Sequence, residues 1–342
     1  METFSSRIQK IAVRTISRSP KWLMRLVAGP PVVIDGQTLD LQVQYVIKLV
    51  GAKEGALPSV EESRREADEQ GGWLSHPASA EVISSPLQFS GPNGPIEARA
   101  YRPKQLTVPA PVLVFYHGGG HVAGSLQSHD LPCRRLALKA ECIVIAVDYR
   151  LAPEHRFPAG VNDGVAAFRE IVNRAKELDI DPRRVAVGGD SAGGNLAAVV
   201  AQQTRDDEYP PCYQLLWVPW LDMSSQRRSY ELFPLGFFLE KPKMEWYTDL
   251  YLNAPSDALD PRASPILGDM KGVAPAAILV AGFDPLRDEG EEYARLLEKA
   301  GVPVVLKRYS GLVHPFINVA GCIGAASDAF DDAIRLLRAA LS

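Results

Sequence analysis

The sequence predicts an α/β protein: a mostly parallel central sheet with helices on both faces and a helical cap. Strand-like and helix-like patterns alternate from residue 111 to residue 203, the rhythm of βαβ units. The apolar run Val185-Ala186-Val187 passes through Gly188 into Gly189-Asp190-Ser191-Ala192-Gly193 and then an Ala-rich helix, a sharp strand-to-helix turn. The rhythm breaks at residues 219–262, where Pro219, Pro234, Pro242 and Pro255 stand among many aromatics, as an inserted cap segment would.

Glu81 to Phe89 and Ile96 to Arg102 are joined by Gly91-Pro92-Asn93-Gly94 and predict an antiparallel hairpin. Then follow strand 111–117, a helix near 130–140, strand 142–148, helix 161–177, strand 184–188, helix 192–203 and strand Tyr213 to Val218. Beyond the insertion come strand Ala276 to Ala281, a helix beginning near Leu286, strand Val302 to Tyr309 and a long amphipathic C-terminal helix. The strand runs are apolar on both faces, which suits parallel strands covered from both sides. Upstream, Val43 to Val50 and the acidic Val60 to Gln70 predict cap helices, the second ending near Gly71-Gly72.

In a G-x-S-x-G elbow the serine sits in a strained bend with its hydroxyl above the sheet, and small neighbours let strand and helix approach. The strand Val112-Leu113-Val114-Phe115-Tyr116 ends in His117-Gly118-Gly119-Gly120, a backbone free to aim N–H groups at one point. The Ala192 N–H, at the positive end of the following helix, would add a donor. In the chain order serine, acid, histidine, only His314 of the six histidines follows Ser191. Asp284, in Gly282-Phe283-Asp284-Pro285 at a strand end, is the preferred orienting carboxylate; Asp288 is its competitor but falls in the next helix. The plainer role for Asp284 is to cap that helix, with Pro285 in its first turn.

Together His117-Gly-Gly-Gly, Asp148-Tyr149-Arg150-Leu151-Ala152-Pro153-Glu154-His155, Gly189-Asp-Ser-Ala-Gly-Gly194 and Asp284-Pro-Leu-Arg-Asp288 closely resemble the bacterial hormone-sensitive-lipase family of esterases, from about residue 75 to the C-terminus. The resemblance implies an α/β-hydrolase fold with a helical cap and hydrolysis of short- to medium-chain carboxylic esters through an acyl-enzyme. The triad would be Ser191, Asp284 and His314. Gly118, Gly119 and Ala192 match the oxyanion-hole positions, and members need no cofactor. Often they pair through the edge strand near the C-terminus, here Val302 to Tyr309, which suggests a homodimer. The implied division is residues 1–75 and 219–262 for the cap, with 76–218 and 263–342 forming the catalytic domain. Two positions depart from the pattern. Pro315 stands between His314 and Phe316 where the family has glycine, and His121 follows the glycines where an aromatic residue is usual. His121 is expected to place a polar ring near the substrate entrance. Arg150, Glu154 and Asp163 read as a structural network behind the glycine loop.

Composition fits without selecting a function. The chain has 342 residues, 46% of them hydrophobic, enough for one large domain plus a cap. A net charge of −4 and no basic stripe argue against a nucleic-acid partner. Cys133, Cys142, Cys212 and Cys322 show neither CxxC pairs nor metal-ligand spacing, so reduced thiols in the cytoplasm are expected. No stretch is long and apolar enough for a signal or membrane span. Residues 5–30 mix Arg7, Lys10, Arg14, Arg18, Lys21 and Arg25 with apolar side chains. This region reads first as a cap helix with a solvated basic face; peripheral contact with an anionic membrane is the alternative. Other readings of the site are an amidase, lactonase or acyltransferase with the same triad, or a ligand receptor on this fold, which would be expected to lose a triad member.

Overall fold

The computed structural model describes residues 19–50, 57–73 and 78–342. His76 and residues 1–18, and with them most of the basic N-terminal stretch, lie outside the described residues.

Eight strands form the central sheet: β3 (Val82–Gly91), β4 (Gly94–Pro103), β5 (Ala110–Tyr116), β6 (Ile143–Val147), β7 (Ile180–Asp190), β8 (Gln214–Trp217), β9 (Ala276–Phe283) and β10 (Val304–Val313). A two-stranded ribbon, β1 (Val33–Ile34) and β2 (Gln37–Thr38), forms a separate small sheet packed beside β10. The spatial order is β10-β9-β8-β7-β5-β6-β4-β3. From β10 to β6 every neighbouring pair is parallel; β4 and β3 join antiparallel at the far edge. The predicted hairpin forms with Gly91 paired to Gly94, leaving a two-residue turn.

Helices cover both faces, and alternation along the strands explains why. Val112, Val114 and Tyr116 pack with α5 (Ala159–Asn173), α6 (Ala192–Gln203) and α9 (Arg287–Lys299). Leu113 and Phe115 point the other way, into a layer with α4 (Asp130–Ala140) and α10 (Gly324–Ala340). All eight residues of β9 are buried, and each large aliphatic side chain so buried contributes about 1.5–3 kcal/mol.

The N-terminal helices α1 (Lys21–Ala28), α2 (Leu41–Val50) and α3 (Val60–Trp73) precede the sheet. Helix α3 continues through Gly71-Gly72 to Trp73 rather than stopping at the glycines. A Cβ on Gly71 would lie 2.0 Å from the Ser128 carbonyl, so glycine serves close approach there, not termination. Between β8 and β9 the chain leaves the sheet as a helical cap region with α7 (Arg228–Leu232), α8 (Lys241–Tyr251) and two 3₁₀ turns, Pro255–Leu259 and Pro265–Leu267. Pro242 occupies the first turn of α8, where its missing N–H costs nothing. Met244, Tyr247 and Tyr251 from α8 are buried against the main core.

Candidate active site

Parallel strands β5, β7, β9 and β10 end on the same edge of the sheet, and the candidate residues follow them directly: His117-Gly-Gly-Gly after β5, Ser191 after β7, Asp284 after β9, His314 after β10. This is the edge at which open α/β sheets collect ligands.

Ser191 caps α6 with φ 55° and ψ −118°, a strained conformation for a residue with a side chain. The bend is locked on both sides, since Ser191 N–H donates to the Trp217 carbonyl at 2.9 Å and Trp220 N–H donates to the Ser191 carbonyl at 3.1 Å. A Cβ on Gly193 would come within 1.9 Å of the Tyr116 carbonyl, which explains the glycine two residues after Ser191. Asn195, fully buried one turn on, donates to the carbonyls of Trp220 and Ala263 at 2.8 Å each and ties the elbow helix to the next loop.

His314 Nδ1 lies 2.9 Å from Asp284 Oδ2, thirty residues earlier. The other carboxylate oxygen of Asp284 accepts the Leu286 N–H at 2.9 Å. Asp284 therefore holds the turn that leads into α9 while facing the imidazole, and it is fully buried. Asp288 faces elsewhere: it accepts the Ser229 N–H at 2.9 Å and the Arg287 Nε–H at 2.7 Å, within a charged cleft shared with Asp35 and Arg308. Ser191 Oγ has no hydrogen-bond partner among the described residues. Such contacts commonly tighten only when substrate binds. Pro315 leaves the His314 carbonyl accepting the Phe316 N–H at 2.9 Å in a tight turn.

The glycine loop corrects one sequence expectation. Gly118 N–H donates to Asp190 Oδ1 at 2.9 Å and so is occupied inside the protein. The N–H groups of Gly119, Gly120 and Ala192 have no acceptor among the described residues. Gly119 and Gly120 carry φ 125° and 64°, and the Tyr247 ring from the cap lies directly over Gly120. Behind the loop, Tyr149 O–H donates to the His117 carbonyl at 2.6 Å, and Arg150 holds Asp163 through two 2.8 Å bonds. Glu154 instead binds Arg64 of α3, whose Nε donates to the Val122 carbonyl at 2.9 Å. Sequence reading assigned no task to Asp190, Arg64 or the Tyr247 contact. Each partner lies many residues away, and no local pattern signals it.

Asp190 is buried, which opposes its charge. His129, 3.1 Å away, and the Gly118 N–H outweigh that and hold its carboxyl below the usual range. Glu289 behaves oppositely: burial and the nearby Asp222 push its carboxyl well up, although the Leu221 N–H at 2.5 Å pulls the other way. Among the described residues no group of three or more His, Cys, Asp or Glu is placed to hold a metal ion.

His121 is a second correction. It is 1% exposed, not at an entrance, and stacks on Tyr251 at 4.0 Å with φ 59°. Both of its ring nitrogens lack partners among the described residues. Burial, with His117 adding a smaller push, lowers its pKa to about 3; burial and His129 lower His117 to about 4. Both lie below the unfolded value of about 6.5. The neutral rings therefore contribute stability that is complete above that value and drains as pH falls toward the folded values. For each ring the loss between pH 7.5 and 5 is about 2 kcal/mol. Glu289, raised in the fold, has the opposite sign, so the test compares variants. His121→Phe is expected to gain about 2 kcal/mol on wild type between pH 7.5 and 5 in urea unfolding. An unchanged difference would mean His121 takes its proton in the folded state.

The family described as alpha/beta hydrolase fold matches residues 113–318. The carboxylic ester hydrolase LipN of Mycobacterium tuberculosis is 40% identical, over 98% of this chain and 92% of its own. An ethyl acetate hydrolase of Pseudomonas putida is also 40% identical, over 78% of this chain and 86% of its own. Among solved structures, an ester hydrolase from the metagenome of Lake Arreo, complexed with a bipyridine phosphonate derivative, superposes with a TM-score of 0.83. It is 39% identical over 88% of this chain and 98% of its own. With the elbow, the carboxylate–imidazole pair and the matching sheet on one edge, the chain belongs to the alpha/beta hydrolase fold family, as one of its serine carboxylesterases.

Proposed function

We propose that this chain is a carboxylesterase of the hormone-sensitive-lipase type, cleaving short- to medium-chain esters with Ser191, His314 and Asp284 as its triad. The observation that carries this is the buried 2.9 Å contact between His314 Nδ1 and Asp284 Oδ2, on the sheet edge that also carries Ser191. His314 takes the Ser191 proton as the oxygen attacks the ester carbonyl, and Asp284 stabilises the imidazolium. Protonation of the departing alcohol by His314 leaves an acyl-enzyme, which water then cleaves by the same path. Gly119, Gly120 and Ala192 are the proposed oxyanion donors, with Gly120 taking the place of Gly118, whose N–H serves Asp190.

In this reading the cap comprises residues 1–75 and 219–262, and the catalytic domain residues 76–218 and 263–342. The exposed edge strand β10, with Val305 and Leu306 each 39% exposed, fits a homodimer. The four cysteines form no disulfide, which fits a cytoplasmic setting, and no described helix is long and apolar enough to cross a membrane. The test is turnover across p-nitrophenyl esters of increasing acyl length, followed by phosphonate labelling and peptide mapping. The expected outcome is a short-chain maximum with one phosphonyl group, on Ser191. A label on any other residue, or a long-chain maximum, would overturn the reading.

A further inference from the structure

Helix α1 packs on α2 through Met24 and Ala28, 3% and 2% exposed. At 100° per residue, Leu26 points away from that pair, and Trp22 lies one turn before it on the same side. Their exposures are 75% and 68%, so the outward face of this short helix presents its largest apolar side chains to solvent. Arg25 borders this face on one side with Lys21 beyond it toward the packed side, Val27, 38% exposed, lies on the other, and on α2 the exposed Lys48 stands beside Leu49, itself 46% exposed. None of the three cations forms an ion pair among the described residues.

We propose that the Trp22–Leu26 face of α1 docks on an anionic lipid surface. Charge singles out that occupant. The chain carries a net −4, yet residues 1–50 contain only Glu2, Asp35 and Asp40 as acids. Asp35 is held by Arg228 and Arg287, and Asp40 caps α2, so neither neutralises the face. An apolar face edged by arginine, with further cations nearby that make no ion pair among the described residues, is the chemistry of helices that lie in the membrane interface. The sequence leading into α1 is of similar composition, with Arg7, Lys10, Arg14 and Arg18 among Ile8, Ile11, Val13 and Ile16. A second copy of the chain fits less well, because two side chains on an eight-residue helix fall short of the roughly 800 Å² per partner that a stable interface buries. Docking would hold the enzyme where apolar esters dissolve. The inference is independent of which residues cleave them.

Flotation of the full chain with phosphatidylcholine vesicles, and with vesicles of equal parts phosphatidylglycerol and phosphatidylcholine, tests this at low salt. Wild type is expected to float with the anionic vesicles only. Trp22→Ala/Leu26→Ala should partition about tenfold less. Lys21→Gln/Arg25→Gln/Lys48→Gln should lose about a hundredfold, at about fivefold per charge. Unchanged turnover of a soluble short-chain ester reports that both variants fold. Wild type failing to float, or both variants floating as it does, overturns the proposal. So does light scattering that shows a dimer in wild type and a monomer in Trp22→Ala/Leu26→Ala, since the occupant is then a second copy.

Discussion

Ser191→Ala is expected to lower kcat for p-nitrophenyl esters by about 10⁶-fold. Its Tm should stay within about 2 °C of wild type. The two halves of that expectation have separate causes. Ser191 Oγ makes no hydrogen bond among the described residues, so its loss leaves no orphaned partner in the fold. The bend is maintained by the backbone bonds to Trp217 and Trp220, which alanine preserves. What disappears is the atom proposed to form the bond to the acyl carbon. A residual rate of roughly 10³–10⁴ over water would remain, because donors and pocket still act on an ester attacked by solvent. Measuring kcat beside a calorimetric Tm separates the effects. If the variant keeps more than about a hundredth of wild-type activity while folded, Ser191 is not the nucleophile.

The parts of this site that could be read from sequence are those encoded within a few neighbouring residues. The elbow is one, because a strand, a sharp turn and a helix follow each other in the chain and each leaves its own pattern. Asp284 is another: a carboxylate just beyond an apolar run lies at a strand end wherever that strand sits in the sheet. The glycine loop was legible only as a loop. Gly118, Gly119 and Gly120 look alike in sequence, and their N–H directions differ because Asp190, 72 residues away, takes the first of them. That contact exists because β5 and β7 are adjacent, a property of the sheet rather than of either segment. His121 failed for the same reason. Its place after the glycines suggests a polar ring near the substrate entrance, whereas Tyr251 of the cap covers it with a ring tilted by only 7°.

The cap also reaches the proposed catalytic edge by routes that composition could not indicate. Tyr247 lies on Gly120, and its hydroxyl is 3.4 Å from Ser63 Oγ on α3. Arg64, next along α3, bridges Val122 and Glu154. In sequence this stretch is an acidic, charged run that would suit any solvated helix. Here it supports the loop proposed to hold the oxyanion, so substitutions in α3 should register at the chemistry as well as in stability.

Asp284→Asn is expected to cost about 10⁴-fold in kcat with little change in fold, while Asp288→Asn stays within about tenfold of wild type. The two oxygens of Asp284 have different tasks, and the asymmetry decides the outcome. One accepts the Leu286 N–H and the other faces His314 Nδ1, each at 2.9 Å. An asparagine keeps the first bond only by placing its oxygen there, which turns its NH₂ toward His314. Nδ1 must then accept, the ring proton moves to Nε2, and the nitrogen that should take the Ser191 proton is already protonated. Flipping the amide restores the tautomer but sets NH₂ against the Leu286 N–H, two donors facing each other at a fully buried position. Neither arrangement gives both a working base and a satisfied loop. Among the described residues Asp288 hydrogen-bonds Ser229 and Arg287, not His314, so its amide would loosen the start of α9 without touching the imidazole. Steady-state kinetics on the two variants decides between the carboxylates. A collapse in Asp288→Asn with Asp284→Asn near wild type would reverse their assignment, whereas the expected order leaves Asp284 as the group that sets which nitrogen of His314 can accept a proton.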